Sequence, residues 1–131
     1  MPEKDFDRWN EQKKRLSASS RRLYFHEGEI WWVRFGLNVG FEIDGKEADF
    51  SRPALVLKKY NRYSFLALPL TTNQTANPYR IPLGLVNGRP AFAVLSQLRN
   101  VDSVRLINKI GAFDQGVLAE IRKAVSKANL Y

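Results

Sequence analysis

The chain has no cysteine and only one histidine among its 131 residues. Without cysteine, disulfide bonds and thiolate–metal sites are excluded, and a single histidine leaves little from which to build a metal cluster. No apolar run approaches the roughly 20 residues of a membrane-spanning helix, and no apolar segment follows the N-terminus as in a signal peptide. We therefore expect a cytoplasmic protein that uses no metal or other cofactor and has no membrane partner.

Positive charge is in excess. The chain carries 21 Lys and Arg against 13 Asp and Glu, a formal net charge of +8, with a pI near 10.0. Hydrophobic residues at 44% and aromatics at 12% are typical of one folded domain. A basic domain favours a polyanionic partner, with nucleic acid the first candidate, although a basic surface without such a partner is the alternative.

Two short apolar runs, Ser51–Leu57 and Phe65–Thr72, are separated by the polar stretch 58–64. This pattern predicts a β-hairpin at the centre of a small sheet. Arg52 stands at the start of one strand, and Thr71 and Thr72 stand at the end of its neighbour. Because these ends meet in an antiparallel pair, the guanidinium and the hydroxyls form a candidate phosphate site.

Residues 1–22 form a separate amphipathic pattern, which predicts an N-terminal helical extension before a main domain over 23–131. The extension is either a basic arm over nucleic acid or a short helix packed on that domain. Residues 37–50 are interpreted as a long loop before Arg52. The residues around Trp31 and Trp32 predict a first strand, on which one indole faces the core and the other serves an interface or a base-stacking surface.

The remaining pattern predicts further short strands and one helix. Pro82 places the strand over 79–83 at a sheet edge, and Asn87-Gly88 marks a tight turn. Strands are expected over 91–95 and 105–111, and Asp114 is the expected cap of a helix with an apolar stripe that includes Val117. The fold class is mainly β with α, a small antiparallel barrel or curled sheet with one C-terminal helix.

Taken together, these landmarks resemble the MazF/PemK family of toxin endoribonucleases. The resemblance is carried in chain order by Gly28–Trp31, Gly40–Gly45, Arg52–Leu57, Pro69–Thr72, Leu95–Asp102 and Lys109–Gly111. It implies an SH3-like antiparallel barrel with a C-terminal helix, here with an added N-terminal helix. It also implies the toxin of a type II toxin–antitoxin pair, a homodimer that cuts single-stranded RNA at short motifs without a metal. The implied partner is a cognate antitoxin with an acidic tail.

The resemblance also assigns residues. The catalytic arginine of the family falls on Arg52 and its catalytic threonine on Thr71, with Thr72 beside it. Supporting or RNA-binding roles are expected for Glu42, Gln97, Lys58, Lys59 and Arg99.

Simpler interpretations stay open for several of these residues. Arg52 could pair with Glu42 or Asp49, the threonines could be ordinary turn hydroxyls, and the lysines could be solvated. His26 has a side-chain pKa suited to proton transfer but matches no catalytic position of the family. As a function, the alternative is a non-enzymatic CcdB-like toxin or a degenerate interaction domain that binds a protein.

Overall fold

The computed structural model describes residues 22–35, 51–73 and 77–130. The predicted helical extension over 1–22 lies outside the described residues except for Arg22, and so does the loop with Glu42. Both stay predictions. Within the described ranges the chain forms seven strands and one α-helix. They are β1 Glu29–Arg34, β2 Ser51–Asn61, β3 Ser64–Thr71, β4 Arg80–Val86, β5 Arg89–Val94, β6 Arg99–Asp102, β7 Leu106–Ala112 and α1 Gln115–Leu130, with a 3₁₀ turn at Ser103–Arg105.

All strand pairs are antiparallel, in the order β4-β5-β3-β2-β1-β7. Strand β3 divides its second edge between two partners, since Ser64–Ala67 pair with β6 and Leu70–Thr71 pair with β5. This division curls the sheet into a half-barrel. The predicted curled antiparallel sheet with a C-terminal helix is confirmed, and so is the edge position of the Pro82 strand.

The central strands are buried on both faces, which explains their nearly continuous apolar runs. One core cluster, around Val33, Val56 and Phe65, fills one face of the sheet. The second lies on the other face, where Leu118, Ile121 and Val125 of α1 pack on it at helical spacing. Asp114 caps α1 as predicted, since its Oδ1 accepts from the Val117 backbone N–H at 2.8 Å. Val117, at the start of the predicted apolar stripe, is 40% exposed, so the buried part of the stripe begins at Leu118.

Strand β2 is longer than the sequence predicts. It continues to Asn61, and a tight turn at Arg62–Tyr63 replaces the expected turn over 58–64. The register shifts between Val56 and Lys58, so Leu57 forms a β-bulge that interrupts the pairing with β3. The polar residues beyond the bulge form the largely exposed end of β2. From composition alone, an exposed strand end cannot be distinguished from a turn.

Candidate active site

The predicted meeting of the two strand ends is confirmed. Ala54 pairs with Pro69, and the same register continued by two residues places Arg52 opposite Thr71. Arg52 also pairs with Val33 of β1 on its other side. Both Arg52 and Thr71 are half-buried and line one cavity.

This cavity has a volume of about 550 Å³. It lies across the strand ends, because consecutive residues from both faces of β2 and β3 border it. The apolar wall of the cavity consists of Trp32, Pro53, Leu70 and Ile110. The β4–β5 hairpin, from Val86 to Ala91, also borders the cavity. Among the described residues, the lining consists of Trp32, Ser51, Arg52, Pro53, Leu70, Thr71, Thr72, Val86, Asn87, Arg89, Pro90, Ala91 and Ile110.

The charge of the cavity favours an anion. Arg52 and Arg89 line it, and no carboxylate is present among the described residues of its lining. Two guanidinium groups facing a partly apolar space provide charge-assisted donors of the kind that bind phosphate. The electrostatics of this site therefore match the anionic partner expected from the net charge.

The hydroxyl of Thr71 is oriented by the backbone that follows it. Its Oγ1 accepts a hydrogen bond from the backbone N–H of Asn73 at 3.1 Å. Because an accepting hydroxyl oxygen still carries its own proton, Thr71 can donate that proton to a ligand. The same turn leaves Thr72 exposed at the cavity rim.

The other predicted site residues are placed elsewhere. Lys58 and Lys59 lie beyond the bulge, at the opposite end of β2 from Arg52. The Nζ of Lys59 donates to the Phe25 carbonyl at 2.8 Å and lies 4.4 Å from the Phe25 ring centroid, so this ammonium has a structural role. Gln97 and Arg99 do not line the cavity either; the guanidinium of Arg99 lies 5.3 Å from the Phe35 ring centroid.

His26 is placed in a different cluster. Its Nδ1 lies 3.3 Å from Oε2 of Glu29, whose carboxylate also accepts from Trp31 Nε1 and pairs with Lys109. Burial by itself raises the pKa of Glu29, but the hydrogen bonds from Trp31, His26 and Lys109 outweigh it and lower that pKa. His26 is thus the neighbour of a structural carboxylate and is not part of the cavity lining.

Sequence reasoning expected one of the two indoles at an interface or a base-stacking surface without placing it in this cavity, and it did not single out Asn87 or Arg89. Trp31 is the buried indole at 5% exposure, and Trp32 is the half-buried one, which lines the cavity. The Asn87-Gly88 turn was predicted, and its φ values of 52° and 79° are those of a tight hairpin turn. The sequence did not indicate that this hairpin lies against the ends of β2 and β3, so Asn87 and Arg89 were not candidates.

Across the described ranges, no three His, Asp or Glu side chains come together in a way that could hold a metal ion. None of the helices described is long and apolar enough to cross a membrane.

Comparison with known proteins gives a family match over most of the chain. The sequence model described as "PemK-like, MazF-like toxin of type II toxin-antitoxin system" matches residues 26–128. A search of curated protein sequences found no match.

Solved structures give a consistent result. MazF from Deinococcus radiodurans is 26% identical, with 81% of this chain and 96% of that chain covered and a TM-score of 0.67. A MazE–MazF complex from the same organism is 23% identical over 81% and 95% of the two chains, with a TM-score of 0.61. The Mycobacterium tuberculosis toxin MazF-mt6 is 17% identical over 76% and 94%, with a TM-score of 0.58.

Proposed function

Because this chain belongs to the PemK-like, MazF-like toxin family of type II toxin–antitoxin systems, we propose that it is an endoribonuclease that cuts single-stranded RNA. The observation that carries the proposal is the cavity lined by Arg52, Thr71 and Thr72. It combines fixed positive charge with hydroxyl donors. These are the groups that a phosphoryl-transfer site needs when no metal supplies the charge.

The reaction is transesterification by the RNA itself. The 2′-oxygen attacks the adjacent phosphorus and loses its proton to a base, while the bond from phosphorus to the 5′-oxygen breaks and that oxygen takes up a proton. The products are a 2′,3′-cyclic phosphate and a 5′-hydroxyl. Charge accumulates on the two non-bridging oxygens, where Arg52 donates in its two-pronged geometry and the Thr71 hydroxyl donates to one of them.

The partners follow from the family and the charge. The chain acts as a homodimer in the cytoplasm and is neutralised by a cognate antitoxin, whose acidic tail occupies the cationic cavity. MazE–MazF complexes among the structural relatives support an antitoxin partner. A closed SH3-like barrel, and the division into a helical extension over 1–22 and a toxin domain over 23–131, belong to the same proposal.

The test is a digest of a long single-stranded RNA in EDTA with purified variants. Arg52→Ala is expected to lower the cleavage rate about a hundredfold or more, the scale for removal of one preorganised donor. Arg52→Lys restores only part of it, because an ammonium keeps the charge but loses the planar fork. Thr71→Val lowers turnover with little change in RNA affinity, because the hydroxyl acts mainly in the transition state.

The control is Lys127→Ala, which removes an exposed cation from the last turn of α1, outside the cavity lining. Circular dichroism checks that every variant is folded. Full activity in both Arg52→Ala and Thr71→Val contradicts the assigned roles. A wild-type chain that cuts no RNA, yet arrests growth when expressed, favours the non-enzymatic alternative.

A further inference from the structure

Trp32 presents a half-buried indole to the cavity. It pairs in register with Pro53, the residue next to Arg52, and with Asn108 on its other side. Nε1 of the neighbouring Trp31 donates to Glu29 at 3.0 Å, whereas the indole of Trp32 makes no hydrogen bond with any described residue. Because a half-buried indole usually finds an acceptor for its N–H, this side chain has both a flat surface and a donor available to a ligand.

Arg89 stands across the cavity from the strand ends. It is the first residue of β5 and pairs with Val86 directly after the Asn87-Gly88 turn, so the two-residue hairpin fixes its backbone. The residue is exposed, and among the described residues no ion pair or hydrogen bond to its side chain occurs. Besides Arg52, the cavity therefore has the guanidinium of Arg89, which no acidic side chain of the described ranges neutralises.

We propose that Trp32 and Arg89 form a nucleotide subsite beside the cleaved bond. The indole of Trp32 stacks on the base of a nucleotide that flanks the scissile phosphate, and Arg89 contacts the next phosphate along the strand. This inference rests on the proposed function, because the position of the scissile phosphate is set by Arg52 and Thr71.

Single-stranded RNA fits this surface better than an acidic peptide does. Both ligands would satisfy the two arginines, but only a nucleic acid alternates anionic groups with flat aromatic ones. An indole that lines the same cavity as two arginines matches that alternation. The subsite would therefore select nucleotides by stacking and would tolerate different bases.

The experiment separates binding from cleavage. The cleaved bond is first mapped by sequencing the ends of a wild-type digest. A short labelled RNA around it is then made uncleavable with a 2′-deoxy sugar at the attacking nucleotide. Its affinity is measured by fluorescence anisotropy for the wild type, Trp32→Leu, Trp32→Phe, Arg89→Gln and the control Lys127→Gln. A second RNA set carries one abasic position at a time next to the scissile phosphate.

Trp32→Leu is expected to weaken binding roughly 5-fold to 100-fold, the scale of one base–aromatic stack, while Trp32→Phe retains most of the affinity. One abasic position lowers wild-type affinity by a similar factor and has little further effect in Trp32→Leu, because both changes remove the same contact. Arg89→Gln reduces the slope of log affinity against log salt by about 0.7, as for one lost phosphate contact on a single strand. Lys127→Gln leaves the slope unchanged.

Each contrary outcome has a distinct meaning. If the wild type cuts RNA but no abasic position weakens its binding, or if Arg89→Gln behaves like Lys127→Gln, the subsite is wrong and the proposed function stands. If the wild type neither binds nor cuts RNA, both fall. If Trp32→Leu loses affinity equally for a poly-glutamate peptide, the surface binds peptide and the inference is overturned. The abasic series uses the wild-type protein, so it decides the question even if Trp32→Leu does not fold.

Discussion

Glu29 joins the first strand to two other parts of the chain. Its carboxylate accepts from the backbone N–H of His26 at 2.8 Å and from Trp31 Nε1 at 3.0 Å, and it pairs with Lys109 Nζ of β7 at 3.0 Å. The side chain is only 12% exposed, so these partners replace its hydration. A half-buried carboxylate with several donors is stabilising only while it is ionised.

The pH dependence of stability follows from this arrangement. The hydrogen bonds overcome burial and lower the pKa of Glu29 below its ordinary 4.5. A carboxyl with a lowered folded-state pKa stabilises the protein above the unfolded-state value, and that contribution is lost as the pH falls through the folded-state pKa. We expect Glu29→Gln to reduce the free energy of unfolding at pH 7 by about 1.5–3 kcal/mol, and to flatten its fall below pH 4.5.

Urea unfolding at several pH values measures this effect. The matched control is Glu120→Gln, whose partner Lys123 is 3.5 Å away with both side chains about three-quarters exposed. An exposed pair contributes little, so this variant should stay within about 0.5 kcal/mol of the wild type. Equal losses in the two variants at pH 7 would contradict the role given to Glu29.

At the scale of elements, the bulge at Leu57 is supported by side chains from outside the hairpin. The Leu57 carbonyl accepts from Arg122 Nε at 3.1 Å and from Arg122 Nη2 at 2.8 Å, and the same guanidinium pairs with Glu27 at 2.8 Å. Glu27 in turn accepts from the backbone N–H of Lys59 at 2.8 Å. Backbone groups that the interrupted ladder would leave unpaired are thereby satisfied by α1 and the segment before β1.

Arg122→Ala should therefore destabilise the protein by about 1–3 kcal/mol, because the nearly buried Leu57 carbonyl loses both donors. Arg122→Lys should recover only part of this, since one ammonium cannot reproduce the fork that reaches both Leu57 and Glu27. Thermal unfolding measures both variants beside Lys123→Ala on the exposed face of α1. A wild-type unfolding curve for Arg122→Ala would show that the bulge does not depend on this contact.

Contacts within one hairpin can be predicted from the sequence, whereas contacts between elements far apart in the chain cannot. The meeting of Arg52 with Thr71 depends on one hairpin, so apolar runs and strand pairing suffice to predict it. The placement of Arg89 depends on how β5 pairs with β3, and nothing near Arg89 in the sequence encodes that contact. The contacts of Lys59 could not be predicted for a similar reason. Its distant partners Phe25 and Glu27 make it part of the scaffold, whereas its neighbours in the sequence resemble a turn.

At the scale of the whole molecule, the net charge of +8 bears on the proposed competition between the antitoxin and RNA. We expect the chain to sediment as a dimer at micromolar concentration. We further expect a small antitoxin, encoded beside this chain, to bind through an acidic tail and to inhibit RNA cleavage, because both ligands need the same cations. Inhibition should weaken as salt rises, since the contact is largely electrostatic.

Sedimentation velocity and digests with added neighbour protein test this prediction. A tail variant with its acidic residues changed to Gln and Asn serves as the control for charge. A monomeric chain would contradict the expected assembly. A neighbour that binds equally well without its acidic residues would contradict the competition.

The β4–β5 hairpin places a tight turn beside the cavity. Its turn pairs with no third strand, Gly88 has open space around it, and β4 forms the outer edge of the sheet. Asn87 and Gly88 have positive φ values of 52° and 79°, so most substitutions at these two positions strain the turn. Arg89 follows the turn and borders the same cavity as Arg52. The charge at position 89 can therefore change without disturbing the turn that precedes it. Under the proposed function, RNA affinity can thus change at this position during evolution while Arg52 and Thr71 keep their places.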